Sequence, residues 1–231
     1  MPIQMYDLAG AEADRRFSPY CWRIQMALLH KGLEFETIPW RFTQKDAIAA
    51  SGQGKVPVII DGERVVADSW AIATYLEQAY PDRPSLFGGQ IGQGASRFIA
   101  DWVAWSLLPG VFRVIAVDIL RHLGPEDQRY FRASREKALG MTLEEHTRDP
   151  DARLAEVRAT LAPARATLAR QPYLSGAAPA FPDYALFGIF MWVRGVSETP
   201  LVEAGDPLAG WRDRLLDAFG GAARAAKGYG R

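Results

Sequence analysis

The sequence predicts a small α/β domain followed by an all-helical domain, and three observations lead to this division. Within the first ~80 residues, strand and helix patterns follow one another in the order β-α-β-β-β-α. Residues 81–95 are rich in turn-forming residues, which is typical of a linker. No convincing strand pattern follows this linker. We therefore expect an α/β domain over residues 1–85 and an all-helical domain over residues 96–231.

The α/β domain begins with a strand candidate at residues 3–8 and a polar loop, after which Ser18 and Pro19 open a helix. Serine is a good N-cap, because its side-chain oxygen can accept from a free amide of the first turn. Proline suits the first helical position, because its missing N–H would have no partner there. Gly32 then supplies the stop.

Three further strands and a second helix complete the pattern of this domain. The strand candidates are residues 33–40, 56–60 and 64–67, with a hairpin signal, Asp61-Gly62, between the last two. Asp68 and Ser69 precede a long helical run that Pro81 closes. A βαβ unit followed by a hairpin and a helix forms a small layered α/β structure.

Beyond the linker only helical patterns are visible, at residues 96–123, 126–148, 151–170, 183–196 and 207–219. Pro109-Gly110 must kink or split the first of these helices. The stretch 183–196 is apolar almost all round, so we expect it to be the buried helix of the domain.

Composition excludes several classes of function. The chain has 27 basic and 27 acidic residues, so its charge gives no argument for binding nucleic acid or an anionic membrane. The single cysteine, Cys21, cannot form an intramolecular disulfide, which fits a reducing compartment. The three histidines are far apart in the sequence, so we expect no dedicated metal site.

The sequence predicts a cytoplasmic protein without a membrane partner. No uninterrupted apolar stretch reaches the ~18 residues that a transmembrane helix needs. The N-terminus starts acidic and lacks the basic segment followed by an apolar one that marks a signal peptide.

Three local features of the α/β domain are weak signals when each is taken alone. Ser18 is most simply an N-cap. Pro57 alone would be an edge-strand residue in the trans form. Asp68 and Ser69 before a helix are ordinary capping residues.

Together, these features resemble the glutathione S-transferase superfamily. SPYC stands where thioredoxin-type proteins have C-x-x-C, with serine replacing the first cysteine. GKVPVIIDG resembles the signature of the superfamily that contains a cis proline, and VVADSWAIATYLEQAYP resembles the helix that follows it. The resemblance implies a thioredoxin-like N-terminal domain, an all-α C-terminal domain and a cis Val56–Pro57 bond.

A narrower resemblance is to the bacterial group that contains glutathione-dependent β-etherases. It rests on FSPYCWRIQMALLHKGLEFE, PWRFTQKDAIAASGQGKVPV and PDYALFGIFMWVRG, and that group typically has serine where this chain has Ser18. One departure concerns the buried helix, which in the superfamily begins with Ser/Thr-x-x-Asp. Here Ala180 replaces the hydroxyl residue and only Asp183 is kept, so we expect lower stability at this helix start.

The resemblance implies that glutathione is the co-substrate and that Ser18 is the catalytic residue. Glutathione reacts as its thiolate, so the protein must favour ionisation of a thiol that it does not own. A hydroxyl at a helix N-terminus can donate to that sulfur, while the free amides add positive potential.

The other implied glutathione contacts come from two segments. Val56, just before a cis Pro57, would pair with the cysteinyl backbone as a strand does. Asp68 and Ser69 would meet the γ-glutamyl end. Lys45 and Lys55 are both candidates for the glycyl carboxylate, and the sequence does not choose between them.

Cys21 is the alternative to Ser18 as the reactive group. It lies three residues inside the helix, where the dipole could still lower its pKa. However, it stands at the position of the second, resolving cysteine, and a small buried core residue is the more common role for such a cysteine.

The electrophile pocket in this fold lies between the two domains. Trp105 and Phe112 are large and apolar, and we expect them to line a site that accepts an aromatic substrate. Phe187 and Trp192 have the same chemistry, but at helical spacing such residues more often belong to the core, where we place them.

We therefore expect a homodimeric glutathione S-transferase that presents a thiolate to an aromatic electrophile, with β-aryl ethers as candidate substrates. Two other functions remain open: a glutathione-dependent thiol reductase that uses Cys21, and a binding module without catalysis. Retention of Ser18, Pro57, Asp68 and Ser69 argues against the binding module, because a degenerate domain has no need of the full set.

Overall fold

A computed structural model describes residues 2–230; Met1 and Arg231, the outer ends of the two predicted domains, lie outside the described residues. The α/β domain consists of β1 (Ile3–Leu8), α1 (Pro19–His30), β2 (Phe35–Trp40), a 3-10 segment (Lys45–Ser51), β3 (Val58–Asp61), β4 (Arg64–Ala67) and α2 (Ser69–Ala79). The predicted fold class, a thioredoxin-like α/β domain followed by helices, is confirmed.

The helical domain follows without any strand in the part of the chain that the structure describes. Its helices are α3 (Gln90–Trp102), a π-helical turn (Val103–Leu107), α4 (Leu108–Arg121), α5 (Pro125–Leu139), α6 (Leu143–His146), α7 (Pro150–Thr160), α8 (Ala162–Leu168), α9 (Phe181–Val196) and α10 (Pro207–Ala225).

The four strands form one mixed sheet in the order β2-β1-β3-β4. β1 and β2 run parallel, and α1 is the crossover that a parallel pair requires. β3 runs antiparallel to both of its neighbours, β1 and β4. Because Val58 pairs with Tyr6, the start of β3 lies beside the carboxyl end of β1, from which the chain leads into α1. This pairing brings the segment around Pro57 close to the start of α1.

Of the two outcomes that the sequence predicts at Pro109, a kink or a split, the split does not occur. A proline inside a helix crowds the carbonyl four residues earlier, which here is that of Trp105. The π-helical turn, which contains Trp105, lies at this point and changes the geometry of the backbone. The helix therefore runs on from α3 into α4. It also starts at Gln90, inside the predicted linker.

The predicted helices 126–148 and 151–170 each split into two. Gly140 ends α5 in the left-handed conformation at φ 70°, a common way for a helix to stop. Pro163 stands in the first turn of α8 and lacks the N–H that would continue the hydrogen bonding of α7.

The stretch Gln90–Arg121 is long and apolar enough, by length and composition, to cross a membrane, a property that was not predicted from the sequence. Core helices of globular domains meet the same criteria. Here one side of the stretch, including Val103, Leu107 and Val111, is buried among the other helices of the domain. The finding alone therefore does not indicate a membrane-spanning protein.

α9 is buried on almost every side, as predicted, and Asp183 fixes its start. One carboxylate oxygen of Asp183 accepts from the Leu174 amide at 2.7 Å and from the Trp211 indole at 2.8 Å. The other accepts from the amides of Ser175 at 3.1 Å and Ala180 at 3.2 Å. Four donors therefore hold this helix start, although Ala180 offers no hydroxyl. The lower stability expected at this start stays a prediction.

The start of α1 rests directly on α9, and two glycines of α9 make the approach close enough. A Cβ atom at Gly188 would overlap the carbonyl oxygen of Pro19. A Cβ atom at Gly195 would lie 2.7 Å from the Cβ of Phe17, closer than real Cβ atoms come. The two glycines are seven residues apart and so share one face of the helix. This face of α9 therefore fixes the position of the segment that contains Ser18.

We expect Gly188→Ala to destabilise the fold by about 1–3 kcal/mol, because the added methyl group must displace the backbone of Pro19. The measurement is urea unfolding of the wild type and the variant. Gly210→Ala is the matched control, since an added Cβ there would lie at an ordinary 3.5 Å from the end of the Arg214 side chain. In the exposed helix interior that change should stabilise by about 0.5–1 kcal/mol. Equal effects of the two changes would contradict the close contact.

Candidate functional site

An apolar cavity with a volume of about 530 Å³ lies between the two domains. The α/β domain contributes the start of α1, the segment before β3 and residues around the end of β2. The helical domain contributes side chains of α4, α5 and α9. The lining residues are Leu8, Phe17, Ser18, Pro19, Tyr20, Trp40, Phe42, Lys45, Gly54, Lys55, Val56, Leu108, Phe112, Ile119, Tyr130, Phe131, Arg135 and Trp192. Such a cavity is large enough for a small-molecule ligand.

Ser18 is the N-cap of α1 and lines this cavity. Its hydroxyl oxygen accepts from the amide of Cys21 at 3.1 Å, so the hydroxyl keeps its own proton for another acceptor. The side chain is buried, and Pro19 after it carries no N–H. An anion at this point would meet a hydroxyl donor and the positive end of a twelve-residue helix.

Cys21 is fully buried and does not line the cavity. Burial raises the pKa of its thiol well above the ordinary value, and the nearby carboxyl group of Asp7 raises it further. The Asp7 carboxyl is itself buried, and this burial raises its pKa to about 6. The thiol of Cys21 is therefore protonated and shielded, whereas a reactive cysteine must be an accessible thiolate.

The Val56–Pro57 peptide bond is cis, as the resemblance implies. Pro57 is buried, while Val56 is half-buried and lines the cavity. Among residues 2–230, neither the N–H nor the C=O of Val56 has a backbone hydrogen-bond partner. This residue can therefore pair with the extended backbone of a bound peptide.

Asp68 and Ser69 start α2 but do not line the cavity itself. One carboxylate oxygen of Asp68 accepts from the amides of Trp70 at 2.9 Å and Ala71 at 3.1 Å. Asp68 has φ 77°, a conformation that costs energy for any residue except glycine and that occurs often at binding sites. Ser69 is buried. A glutathione molecule that reaches both residues must extend beyond the cavity.

Arg23 is a buried residue near Asp68 that was not predicted from the sequence as a site residue. Burial lowers the pKa of its guanidinium group to about 10, against the opposing effect of Tyr20 and Asp68. Its Nε and one terminal nitrogen have no hydrogen-bond partner among residues 2–230. The signal in the sequence is a charged residue on an otherwise apolar helix face.

Both candidate lysines line the cavity, but they differ in their contacts. The Lys45 ammonium group donates to the carbonyl of Gly54 at 2.5 Å and lies over the rings of Trp40 at 4.8 Å and Tyr130 at 5.2 Å. Lys55 is exposed. Neither lysine forms an ion pair with a carboxylate in the part of the chain that the structure describes. Both therefore remain available to an anionic group of a ligand.

Phe112 and Trp192 both belong to the aromatic wall of the cavity, and the role of Phe112 in an electrophile pocket stays a prediction. Their rings stack with centroids 6.2 Å apart and an interplanar angle of 9°. Trp192, expected only in the core, is buried and also lines the cavity. Phe187 is a core residue as expected, packed edge-on against Trp211.

Trp105 does not line the cavity, so its predicted place is wrong. Its side chain is 80% exposed. In a regular α-helix, Trp105 and Phe112 would share a face because they are seven residues apart. The π-helical turn around Trp105 holds an additional residue, and one residue corresponds to a rotation of about 100° around the helix.

The part of the helical-domain lining that comes from α5 was not predicted from the sequence. Tyr130, Phe131 and Arg135 of this helix reach the cavity, together with Phe42 from the loop after β2. The available signal was a pair of aromatic residues in a helix that is otherwise rich in charged residues.

Comparison with known families matches nearly the whole chain. Residues 13–84 match the family model described as glutathione S-transferase, N-terminal domain. Residues 95–219 match the model described as glutathione S-transferase, C-terminal domain. The two matched segments correspond to the α/β domain and to the helices that follow it.

Two relatives share shorter segments. A glutathione S-transferase of the zeta class from Euphorbia esula is 37% identical over 70 residues, which are 28% of this chain and 31% of that protein. A maleylacetoacetate isomerase from Pseudomonas aeruginosa is 26% identical over 116 residues, which are 47% of this chain and 54% of that protein. In both cases the chain spans less than two thirds of the length of the relative.

Two solved structures are similar over more than nine tenths of both chains. The glutathione transferase GSTFuA3 from Phanerochaete chrysosporium has 27% identity and a TM-score of 0.83, covering 93% of this chain and 96% of that chain. The glutathione S-transferase CsGST63524 of Ceriporiopsis subvermispora, solved in complex with glutathione, has 22% identity and a TM-score of 0.81 over 95% and 96% of the two chains. At 22% identity, the similarity to CsGST63524 supports a shared fold only.

Proposed function

The chain belongs to the glutathione S-transferase family, and we propose that it transfers glutathione to aromatic electrophiles with Ser18 as the catalytic residue. The observation that supports this role is the hydroxyl of Ser18, which caps α1 through its oxygen and lines the cavity between the domains. Its proton is therefore free to be donated to a ligand in the cavity.

In the proposed reaction, the thiol of glutathione loses its proton to solvent and the thiolate accepts the hydrogen bond from Ser18. The sulfur then attacks an electrophilic carbon, so that a C–S bond forms and the bond to the leaving group breaks. The leaving group departs with its electron pair. Donation from a hydroxyl and the helix N-terminus both favour the anion, which increases the fraction of thiolate at neutral pH.

The proposed contacts of glutathione use both segments that the sequence indicates. Val56 pairs with the cysteinyl backbone, which its unused N–H and C=O favour. Asp68 and Ser69 bind the γ-glutamyl end, where the second oxygen of the Asp68 carboxylate can accept from the ammonium group. Lys45 or Lys55 binds the glycyl carboxylate.

The proposed electrophile is aromatic, because eight of the residues that line the cavity carry aromatic rings. β-Aryl ethers are the specific candidate, supported by the resemblance of three segments to the β-etherase group. The buried thiol of Cys21 argues against the thiol reductase. The lone, buried cysteine also fits the proposed location in the cytoplasm.

A homodimer is the proposed assembly, and an exposed apolar stripe supports it. Ile91, Phe98 and Trp105 are 93%, 76% and 80% exposed and follow one another at intervals of seven residues. An ion pair between Arg97 and Asp101 flanks them on the same helix. Exposed large apolar side chains that recur on one face of a helix are typical of contact surfaces, and a second copy of the chain would cover these.

Replacing Ser18 tests the catalytic proposal. We expect Ser18→Ala to lower kcat/KM for conjugation by roughly tenfold to a hundredfold, because one charge-assisted hydrogen bond to the thiolate is lost. The variant also loses its N-cap, at a cost of about 1 kcal/mol, so unfolding must be measured beside the rate. Cys21→Ala is the control and should keep the rate of the wild type. If Ser18→Ala kept the conjugation rate of the wild type and Cys21→Ala were inactive, the serine mechanism would be rejected.

Charges placed in the stripe test the assembly. We expect the wild type to sediment at twice the mass of the 25.6 kDa chain, and a variant with Phe98→Glu and Trp105→Glu to sediment as a monomer. Met141→Glu introduces the same charge at an exposed apolar residue outside the stripe and should remain a dimer. A wild type that is monomeric at every concentration, or that binds phospholipid vesicles through this stripe, would contradict the proposal.

A further inference from the structure

Arg135 is a cation in the cavity whose charge no group of residues 2–230 neutralises. Arg135 is half-buried, and this burial lowers the pKa of its guanidinium group. The phenol of Tyr130 provides the one charge interaction that raises this pKa. One of its N–H groups donates to the hydroxyl of Ser134 at 3.0 Å. A guanidinium group has five N–H donors, so most of its hydrogen-bonding capacity is unused.

Two aromatic rings hold this guanidinium group in place. Its central carbon lies 4.9 Å from the ring centroid of Phe131 and 5.5 Å from that of Phe42. These cation–π contacts restrict the side chain without using its N–H groups, which lie in the plane of the guanidinium group. The group is therefore both oriented and free to bind.

Arg135 lies further along the cavity wall than Lys45. The rings of the wall contact one another in sequence, with centroid separations of 6.3, 5.5, 6.2 and 6.2 Å: Tyr130, Phe42, Phe131, Phe112, Trp192. Lys45 lies over the first ring of this series. Arg135 lies over the second and third. This position is nearer to the stacked rings of Phe112 and Trp192, which belong to the electrophile side of the cavity.

We propose that Arg135 binds a carboxylate group carried by the aromatic electrophile. The inference rests on the proposed transferase function and names the class of its second substrate: aromatic rings with an anionic, planar substituent. The aromatic wall contacts the ring, and the fork of N–H donors receives the carboxylate in a bidentate pair.

The electrostatics of the cavity favour this class over neutral substrates. Its lining contains Lys45, Lys55 and Arg135 and no carboxylate among the described residues. The glycyl carboxylate of glutathione requires one of these cations, and the lysines stand beside the segment that binds its backbone. Arg135 is thus left without an anionic partner unless the second substrate supplies one.

The experiment compares two near-isosteric electrophiles, 4-(chloromethyl)benzoate and 4-(chloromethyl)benzamide. In both, the thiolate displaces chloride from the benzylic carbon, and the two ring substituents have nearly the same shape but differ in charge and in one hydrogen-bonding atom. We expect the wild type to favour the benzoate in kcat/KM by about tenfold to a hundredfold, the effect of a hydrogen-bonded charged group. In Arg135→Met the ratio of kcat/KM for the benzoate to that for the benzamide should fall close to one. In Arg135→Lys it should be intermediate, because lysine keeps the positive charge but cannot form the bidentate pair.

Arg129→Met is the matched control, because it removes one exposed positive charge from the same helix outside the cavity. It should keep the ratio of the wild type. The ratio is independent of a general loss of activity or folding in Arg135→Met. An unchanged ratio in Arg135→Met overturns the proposal. A KM for glutathione that rises in this variant by the same factor with either electrophile also overturns it, since Arg135 would then bind glutathione.

Failure of the transferase function gives a different result. If the wild type converts neither electrophile, calorimetry with unreactive 4-methylbenzoate and 4-methylbenzamide decides the anion site by itself. Binding of the benzoate that is lost in Arg135→Met supports the proposal. Equal binding of both compounds, or binding of neither, overturns it.

Discussion

The close contact between the start of α1 and the middle of α9 positions the rest of the site. Gly188 leaves room for the carbonyl of Pro19, so Ser18 is held against the most buried helix of the protein. α9 is in turn fixed at its own start by the four donors to Asp183. The hydroxyl that faces the cavity therefore belongs to a rigid part of the molecule, and the cavity forms where the two domains meet around it.

The hydroxyl of Ser18 and the thiol of Cys21 lie at the same helix start but have different chemical roles, because their surroundings differ. Ser18 faces the cavity, where its hydroxyl can donate to an anion, while Cys21 faces the core, where burial keeps its thiol protonated. The helix dipole acts on both positions, but desolvation outweighs it at Cys21. The domain thus stabilises a thiolate that the ligand brings, and it keeps its own thiol unreactive.

The sequence was sufficient for the four strands and two α-helices of the α/β domain because local signals mark them, whereas the 3-10 segment Lys45–Ser51 was not predicted. Ser18-Pro19 starts α1, Gly32 ends it, and the cis bond before Pro57 follows from the resemblance. The helical domain depends on non-local packing, which explains the errors there. The π-helical turn that separates the faces of Trp105 and Phe112 and the reach of Arg135 into the cavity have no local signature, since both result from how the helices pack.

The central claim is that the Ser18 hydroxyl favours the thiolate of bound glutathione, and titration of that thiol tests it most directly. The thiolate absorbs in the ultraviolet, so its fraction can be followed against pH in the complex of the enzyme with glutathione. We expect the thiol pKa to be lower in the wild-type complex than in free glutathione and to rise by about one to two units in Ser18→Ala, as the loss of one charge-assisted hydrogen bond requires. The same thiol pKa in both complexes would contradict the account.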